Sequence, residues 1–129
     1  MKTETEEWIE KAEGDWAVMN REHKVTDSPN YDAVCFHAQQ CAEKYLKGRL
    51  FEAGMSFKKT HDLLNLLDDI SKIETSWTDL EEILSELTSF AVAYRYPGFE
   101  ATKEQSKKSV EHCRLIRKLV RESFGLPIK

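Results

Sequence analysis

The sequence predicts a single all-α domain over residues 1–129, an up-and-down bundle of four to five helices. Three observations predict this class. Apolar residues recur at spacings of three and four, which places them on one face of a helix. Only 5 glycines and 3 prolines are present, too few for the many tight turns of a β-sandwich or barrel. Patterns typical of helix N-termini precede several apolar runs.

The first two helices are predicted over residues 4–22 and 30–54. In the first, Trp8, Ala12, Trp16 and Met19 lie on one face. The second carries a broad apolar arc, which predicts a central helix with several neighbours, and Gly54 is expected to end it. The arc consists of Val34, Cys35, Ala38, Cys41, Ala42, Tyr45, Leu46, Leu50 and Ala53.

Three further helices follow. Thr60 is expected to cap a short third helix that runs to about Ile70. Thr78 with Glu81 forms a capping-box pattern ahead of a fourth helix, whose apolar stripe reaches Tyr94 before Pro97-Gly98 stops it. A second box at Thr102–Gln105 opens a fifth helix that ends near Phe124.

The charge of the chain limits which partners it can bind. The net charge of −4 argues against general attraction to nucleic acid, so such a role needs a local basic patch. Acidic residues dominate between Asp62 and Glu86, and basic residues between Ala101 and Glu122. The two segments are interpreted as solvated faces that attract each other or a second subunit. The alternative is a phosphate-binding strip on the last helix.

Several classes of function are disfavoured. The three cysteines form no CxxC pair, so reduced thiols in a cytoplasmic protein are expected. No apolar stretch is long enough for a membrane span, and no GxGxxG or Walker loop is present. His37 and Cys41 are four residues apart, but no second ligand pair has suitable spacing, so we expect no metal and no cofactor.

A row of polar side chains follows one edge of the apolar arc on the second helix. It comprises His37, Gln40, Lys44 and Lys47. Such a row can bind a phosphate or the edge of a nucleotide, although an ordinary polar flank gives the same pattern. Gln39 falls inside the arc, and its buried amide is expected to tie this helix to a loop or a second subunit.

Two other segments offer polar groups. His61 is expected in the first turn of the third helix, where it serves a structural role or helps to bind an anion. Arg95 is expected in the last turn of the fourth helix, where a cation complements the helix dipole. An arginine beside Tyr94 and Tyr96 also suits stacking on a base and pairing with a phosphate.

Three motifs resemble those of the HEPN (higher eukaryotes and prokaryotes nucleotide-binding) domain family. They are His37-Ala38-Gln39-Gln40-Cys41-Ala42-Glu43-Lys44-Tyr45-Leu46-Lys47, then Lys59-Thr60-His61-Asp62-Leu63, then Arg95-Tyr96-Pro97. Trp8, Ala12 and Asp15 add to the likeness, which covers nearly the whole chain. The resemblance implies a helical bundle, like the substrate-binding subunits of nucleotidyltransferases, that usually forms a dimer. It also implies association with a small nucleotidyltransferase in a toxin–antitoxin-like pair.

Some members of this family are metal-independent ribonucleases, whose motif is an arginine followed four to six residues later by a histidine. Four to six residues after Arg95 the sequence has Phe99, Glu100 and Ala101, and Thr102 follows, so no histidine is present. The resemblance with this departure favours a protein that is not an enzyme on its own. We therefore expect no catalytic residue of that type.

The sequence thus predicts a non-catalytic subunit that binds a nucleotide or a partner. In it, Lys44, Lys47 and Arg95 take phosphate charge and Tyr96 stacks on a base. His37 and His61 add hydrogen bonds, and Gln40 is the remaining candidate for the binding site. Two alternatives remain: a divergent ribonuclease that acts as a dimer, with His37 or His61 as acid–base and Arg95 on the phosphate, and a purely structural dimer.

Overall fold

The structure is a computed structural model that describes residues 1–57 and 59–129. Within those residues it is helical, with no strand, which confirms the predicted all-α class. The α-helices are α1 (Thr3–His23), α2 (Tyr31–Glu52), α3 (Leu63–Ile70), α4 (Glu81–Phe90), α5 (Val92–Arg95) and α6 (Lys103–Ser123). A 3-10 helix, Thr75–Leu80, lies between α3 and α4.

Helices α1 and α2 are antiparallel. The backbone N–H of Lys2, at the start of α1, donates to Glu52, at the end of α2. Further along, Asp15 of α1 contacts Lys44 of α2. The residue numbers fall on one helix as they rise on the other, as expected for two helices joined by a short loop.

Helix α6 runs parallel to α2. The N–H of Ala101, just before α6, donates to Asp32 in the first turn of α2. Near its other end, Arg121 donates to Tyr45. The chain returns between them through α4 and α5, so α1, α2, α4–α5 and α6 alternate in direction. The bundle is therefore up-and-down, as the sequence predicts.

Helix α2 is central, because it contacts α1, α3, α4, α5 and α6. The predicted arc is buried except at Ala53, which is exposed just beyond the last residue of the helix. The other helices add further residues to this core, namely Ile9, Ala12, Met19, Leu63, Leu66, Leu67, Ile70, Trp77, Leu80, Leu84, Leu87, Val110, Cys113, Ile116 and Val120.

Several predicted helix ends are confirmed. The side chain of Asn30 accepts from the N–H of Ala33 at the start of α2. Gly54 follows the end of α2 with a φ of 75°, a conformation that an L side chain disfavours. The capping box of Thr102 and Gln105 forms in both directions at the start of α6.

Two predicted helix starts are wrong. The predicted cap of the third helix is Thr60, but the helix begins at Leu63 and Asp62 caps it by accepting from the N–H of Leu64. The Thr60 hydroxyl instead accepts from the N–H of Asp62. Thr78 lies inside the 3-10 helix, and α4 starts at Glu81 with no side-chain cap.

The predicted fourth helix is interrupted. Helix α4 ends at Phe90, and after Ala91 the chain forms the single turn of α5, which ends at Arg95. Tyr94 is 47% exposed and is not part of the buried stripe. The interruption redirects this turn so that it contacts α2.

No helix in the described ranges is both long enough and apolar enough to cross a lipid bilayer.

Candidate functional site

Asp15 of α1 joins two members of the predicted polar row. Its Oδ1 lies 2.8 Å from Nδ1 of His37, and its Oδ2 lies 2.5 Å from Nζ of Lys44. The carboxylate is 9% exposed. A buried carboxylate is stable when its oxygens accept hydrogen bonds from charged or polar donors, and here two donors from α2 supply them. His37 and Lys44 are thereby brought together at the α1–α2 boundary.

The other two members belong to a separate buried network. Glu43, 3% exposed, accepts from Nζ of Lys47 at 3.1 Å and from Nδ1 of His61 at 2.9 Å. The amide of Gln39 donates to Glu43 and to the backbone oxygen of His61 at 2.9 Å, while Gln40 donates to Gln39. Gln39 therefore ties α2 to the loop before α3, as its burial in the arc predicts.

Lys47 is enclosed by aromatic rings. Its Nζ lies 5.7 Å from the ring centroid of Trp8 and 6.0 Å from that of Phe57. Only 7% of the residue is exposed, so a ligand at the surface does not reach its ammonium group. The predicted continuous row is therefore wrong. Two carboxylates, Asp15 and Glu43, divide it into two separate groups.

His61 precedes α3 and is not in its first turn, which corrects the predicted location. Its side chain is 64% exposed, although Nδ1 is held by Glu43. The loop position follows from Asp62, which takes the N-cap instead. A purely structural dimer predicts that the polar groups of Gln39, His61 and Arg95 satisfy one another. Gln39 and His61 do so through a hydrogen bond from the Gln39 amide to the His61 backbone oxygen, whereas Arg95 lies elsewhere.

Arg95 and Tyr94 of α5 pack against Phe36 of α2. The Tyr94 ring stacks on Phe36 with centroids 4.4 Å apart and planes at 20°. The guanidinium carbon of Arg95 lies 5.4 Å from the centroid of the same ring. Arg95 is exposed and forms no ion pair with any residue that the structure describes. Its charge is therefore available to a ligand.

An open groove surrounds this arginine, and Asp32 and residues 93–100 line it. Two aromatic side chains on its rim, Tyr96 and Phe99, are 57% and 58% exposed. Exposed rings beside a guanidinium suit stacking on a base and pairing with a phosphate. The chain can turn here because Gly98 adopts a φ of 90°.

His37 reaches the same surface from the other side of Phe36. The centroids of their rings are 5.2 Å apart, and the His37 ring lies 6.4 Å from that of Tyr94. His37 and Arg95 both contact the Phe36 ring, Tyr96 follows Arg95 in the chain, and Lys44 meets His37 at Asp15. We call these four residues the candidate site. Gln40, Lys47 and His61, the other three predicted site residues, belong to the buried network of Glu43.

Two residues of this surface escaped prediction from the residue pattern. Asp15 entered the sequence argument only as a point of family likeness, yet it positions both His37 and Lys44. Its position could have indicated this role, because Asp15 lies between Ala12 and Met19 on the apolar face of α1. A carboxylate that is buried there requires a hydrogen-bond or ion-pair partner. Phe36 lay outside the apolar arc, and nothing in its periodicity indicated a contact with α5.

The comparison with known families agrees with the motifs. The HEPN domain model matches residues 5–123, nearly the whole chain. The chain belongs to the HEPN domain family. The crystal structure of TT1696 from Thermus thermophilus is similar in fold, with a TM-score of 0.80 and 23% sequence identity. The match covers 94% of this chain and 98% of that one. No curated protein matches this HEPN domain.

A second polar cluster braces this HEPN domain away from the candidate site. Glu13 accepts from Nε and Nη2 of Arg117 at 2.8 and 2.9 Å and from the Tyr45 hydroxyl at 2.6 Å. Burial raises the pKa of Tyr45, and its hydrogen bond to Glu13 raises it further. Arg117 and Arg121 also donate to backbone oxygens of the C-terminal residues. This cluster joins α1, α2, α6 and the C-terminus.

The acidic segment, residues 62–86, contacts the basic segment, residues 101–122, in the same molecule. Glu86 of α4 lies 3.1 Å from Nε2 of His112 and 3.9 Å from Nζ of Lys108, both on α6. This supports the interpretation of solvated faces that attract each other. Other bases of α6 are exposed, namely Lys103, Lys107, Arg114 and Lys118.

The cysteines of the HEPN domain are core residues. Cys35, Cys41 and Cys113 are buried as free thiols. Burial raises the pKa of Cys41, and the neighbouring thiol of Cys113 raises it further, so the reactive thiolate is disfavoured. Over residues 1–57 and 59–129, no group of three or more His, Cys, Asp or Glu side chains is arranged to hold a metal ion.

Proposed function

We propose that this HEPN domain is a non-catalytic subunit that binds a nucleotide at the candidate site. The observation that carries the proposal is the exposed guanidinium of Arg95, which lies over Phe36 and has no carboxylate partner among the described residues. Lys44 and Lys47, by contrast, are each paired with a carboxylate. Arg95 is thus the side chain in this region best placed to take a phosphate.

The groups around Arg95 suit the rest of a nucleotide. Tyr96 is the adjacent residue and is more than half exposed, so its ring offers a face on which a base can stack. His37 lies beside Phe36, and Asp15 holds both His37 and Lys44. A guanidinium for the phosphate and a ring for the base make a site that recognises both ends of a nucleotide.

The test compares the thermal stabilisation by 5′-AMP of wild type, Arg95→Ala and Arg114→Ala. A ligand that binds only the folded state raises the melting temperature to an extent that grows with its affinity. Wild type and Arg114→Ala, which removes an exposed arginine of α6, are expected to shift equally. Arg95→Ala is expected to shift much less. Equal shifts in all three proteins would contradict the proposal.

Association with a small nucleotidyltransferase is the cellular setting we propose for this binding, and homodimerisation is the proposed assembly. Both come from the family resemblance described above. Light scattering on the purified chain tests homodimerisation, and a mass of one chain would contradict it.

Co-expression with a nucleotidyltransferase encoded beside this chain tests the association with that enzyme. Failure of the two proteins to co-elute would remove that part of the proposal.

The second candidate function is a divergent ribonuclease, which one geometric observation favours. His37 is held by a carboxylate and lies beside the ring that Arg95 covers, so an acid–base group and a phosphate-binding cation face the same surface. Incubation of RNA with EDTA, using wild type, His37→Ala and Arg95→Ala, separates the candidates. Cleavage that both substitutions abolish supports the ribonuclease, and absence of cleavage removes it.

A further inference from the structure

The groove around Arg95 carries unlike charges. Asp32 and residues 93–100 line it, so the guanidinium of Arg95 and the carboxylates of Asp32 and Glu100 border the same space. A second hollow adjoins the groove and shares both carboxylates, but Arg95 is not part of its lining. The carboxylates therefore mark the end of the groove that meets the second hollow. A phosphate is attracted to Arg95 and repelled from that acidic end.

Asp32 has one oxygen engaged and one available. Its Oδ1 accepts from the backbone N–H of Ala101 at 2.6 Å, and none of the described residues donates to Oδ2. The residue lies in the first turn of α2, where the helix dipole favours an ionised carboxylate, and it is only partly buried. An ionised carboxylate only accepts hydrogen bonds. A ligand group that meets Oδ2 must therefore be a donor.

The nucleobases differ in the donors that they offer to such a carboxylate. Guanine has two adjacent donors on its Watson–Crick edge, the N1–H and the 2-amino group. Hypoxanthine keeps the N1–H but lacks the amino group. Adenine and cytosine each place an amino group beside a ring nitrogen that is an acceptor, and a carboxylate repels an acceptor. Guanine is therefore the base whose edge best matches a carboxylate.

We infer that Asp32 selects the base, so that the groove prefers guanine nucleotides. This inference rests on the proposed function, in which Arg95 holds the phosphate and Tyr96 stacks on the base. Asp32 lies one helical turn before Phe36, the ring that Arg95 covers, so both side chains of α2 border the space where the nucleotide binds. Losing one hydrogen bond to a charged group typically weakens binding by roughly tenfold or more.

The experiment is calorimetric titration with 5′-GMP, 5′-IMP and 5′-AMP. Wild type is compared with Asp32→Asn, whose amide oxygen can still accept from Ala101 while an NH₂ donor replaces the free oxygen. Asp62→Asn is the matched control, because Asp62 also accepts a backbone N–H, that of Leu64, but ahead of α3. Wild type and Asp62→Asn are expected to bind GMP roughly tenfold or more tightly than IMP or AMP. Asp32→Asn is expected to bind GMP no more tightly than IMP.

The comparison of the three nucleotides on wild type needs no substitution, so it tests the inference whether or not Asp32→Asn folds. Equal affinity of wild type for GMP, IMP and AMP overturns the inference and leaves the proposed function standing. A preference for GMP that persists in folded Asp32→Asn overturns the assignment to Asp32. Absence of binding of all three nucleotides to folded wild type overturns both the inference and the proposed function.

Discussion

Glu13 and Arg117 form a two-point ion pair across the bundle, although 104 residues separate them in the chain. The two nitrogen–oxygen distances are 2.8 and 2.9 Å, the parallel geometry in which a guanidinium binds a carboxylate most strongly. The Arg117 guanidinium also lies 4.5 Å from the ring of Trp16. One side chain of α6 thus holds α1 by charge and by stacking.

Arg117→Met is expected to lower the free energy of unfolding by about 2 kcal/mol. The change removes the closest cation of the partly buried Glu13. The cost is below that of breaking a fully buried pair, because Glu13 is one-third exposed and Arg121 remains 3.9 Å away. Urea denaturation measures it. Lys118→Met, which removes an exposed cation of the same helix, is the control and is expected to change stability by less than about 0.5 kcal/mol.

The stability of the protein is expected to depend on pH through Glu13. Burial alone would raise its pKa, but hydrogen bonds from Arg117 and Tyr45, with the nearby arginine charges, hold the pKa below its ordinary value of 4.5. A carboxyl with a lowered pKa stabilises the folded state above its unfolded-state pKa, and this contribution is lost as the pH falls through the folded-state pKa.

The stability advantage of wild type over Glu13→Gln should therefore be constant above about pH 6 and shrink toward about pH 3. Urea denaturation across this range measures it. Glu10→Gln changes an exposed carboxylate of the same helix, and its difference from wild type should vary little with pH. An advantage over Glu13→Gln that stays constant across the whole range would show that Glu13 does not stabilise the fold through its charge.

The two glycines inside long helices are expected to respond differently to alanine. A Cβ at Gly14 meets nothing within 4 Å, so Gly14→Ala should stabilise the protein by about 0.5–1 kcal/mol through helix propensity. A Cβ at Gly48 would lie 3.1 Å from Cβ of Trp8. Gly48→Ala should therefore be less stable than Gly14→Ala, since crowding between α1 and α2 offsets the same gain. Thermal unfolding of both variants tests the order.

Thr102→Ala is expected to destabilise the protein by about 1 kcal/mol, because it removes the side-chain half of a complete capping box. Thr78→Ala is the matched control. It carries the same sequence pattern, but Thr78 lies within the 3-10 helix and caps nothing, so its cost should be below about 0.5 kcal/mol. Equal losses in the two variants would indicate that the pattern, and not the observed cap, determines stability.

The contrast between these threonines shows what local patterns can predict. Thr102 and Thr78 stand before the same kind of apolar run, and only the tertiary contacts decide which one caps a helix. Trp77 and Leu80 belong to the 3-10 helix and are buried in the core. Thr78 therefore lies within that helix and not at the N-terminus of α4. The presence of the helices and the buried face of α2 can be predicted from periodicity, because each is a property of one helix.

The candidate site was predictable in part for the same reason. His37, Lys44 and Arg95 were identifiable by residue type and position, but their partners come from other helices. No pattern within α2 distinguishes Lys44, which is partly exposed and pairs with Asp15, from Lys47, which is buried beside Trp8. The packing of the helices determines which of the two ammonium groups is accessible. The sequence alone therefore predicted that both lysines bind the phosphate.

The stacking of Tyr94 on Phe36 shows that the binding surface and the core of the bundle depend on different residues. The single turn of α5 carries Arg95 but places no residue of its own in the core, and Tyr94 and Arg95 pack on one ring of α2, that of Phe36. Exposed positions of this turn, such as Tyr94 and Arg95, can therefore be substituted with little cost to the bundle beneath them. What the surface binds is thus set largely apart from what holds the fold together.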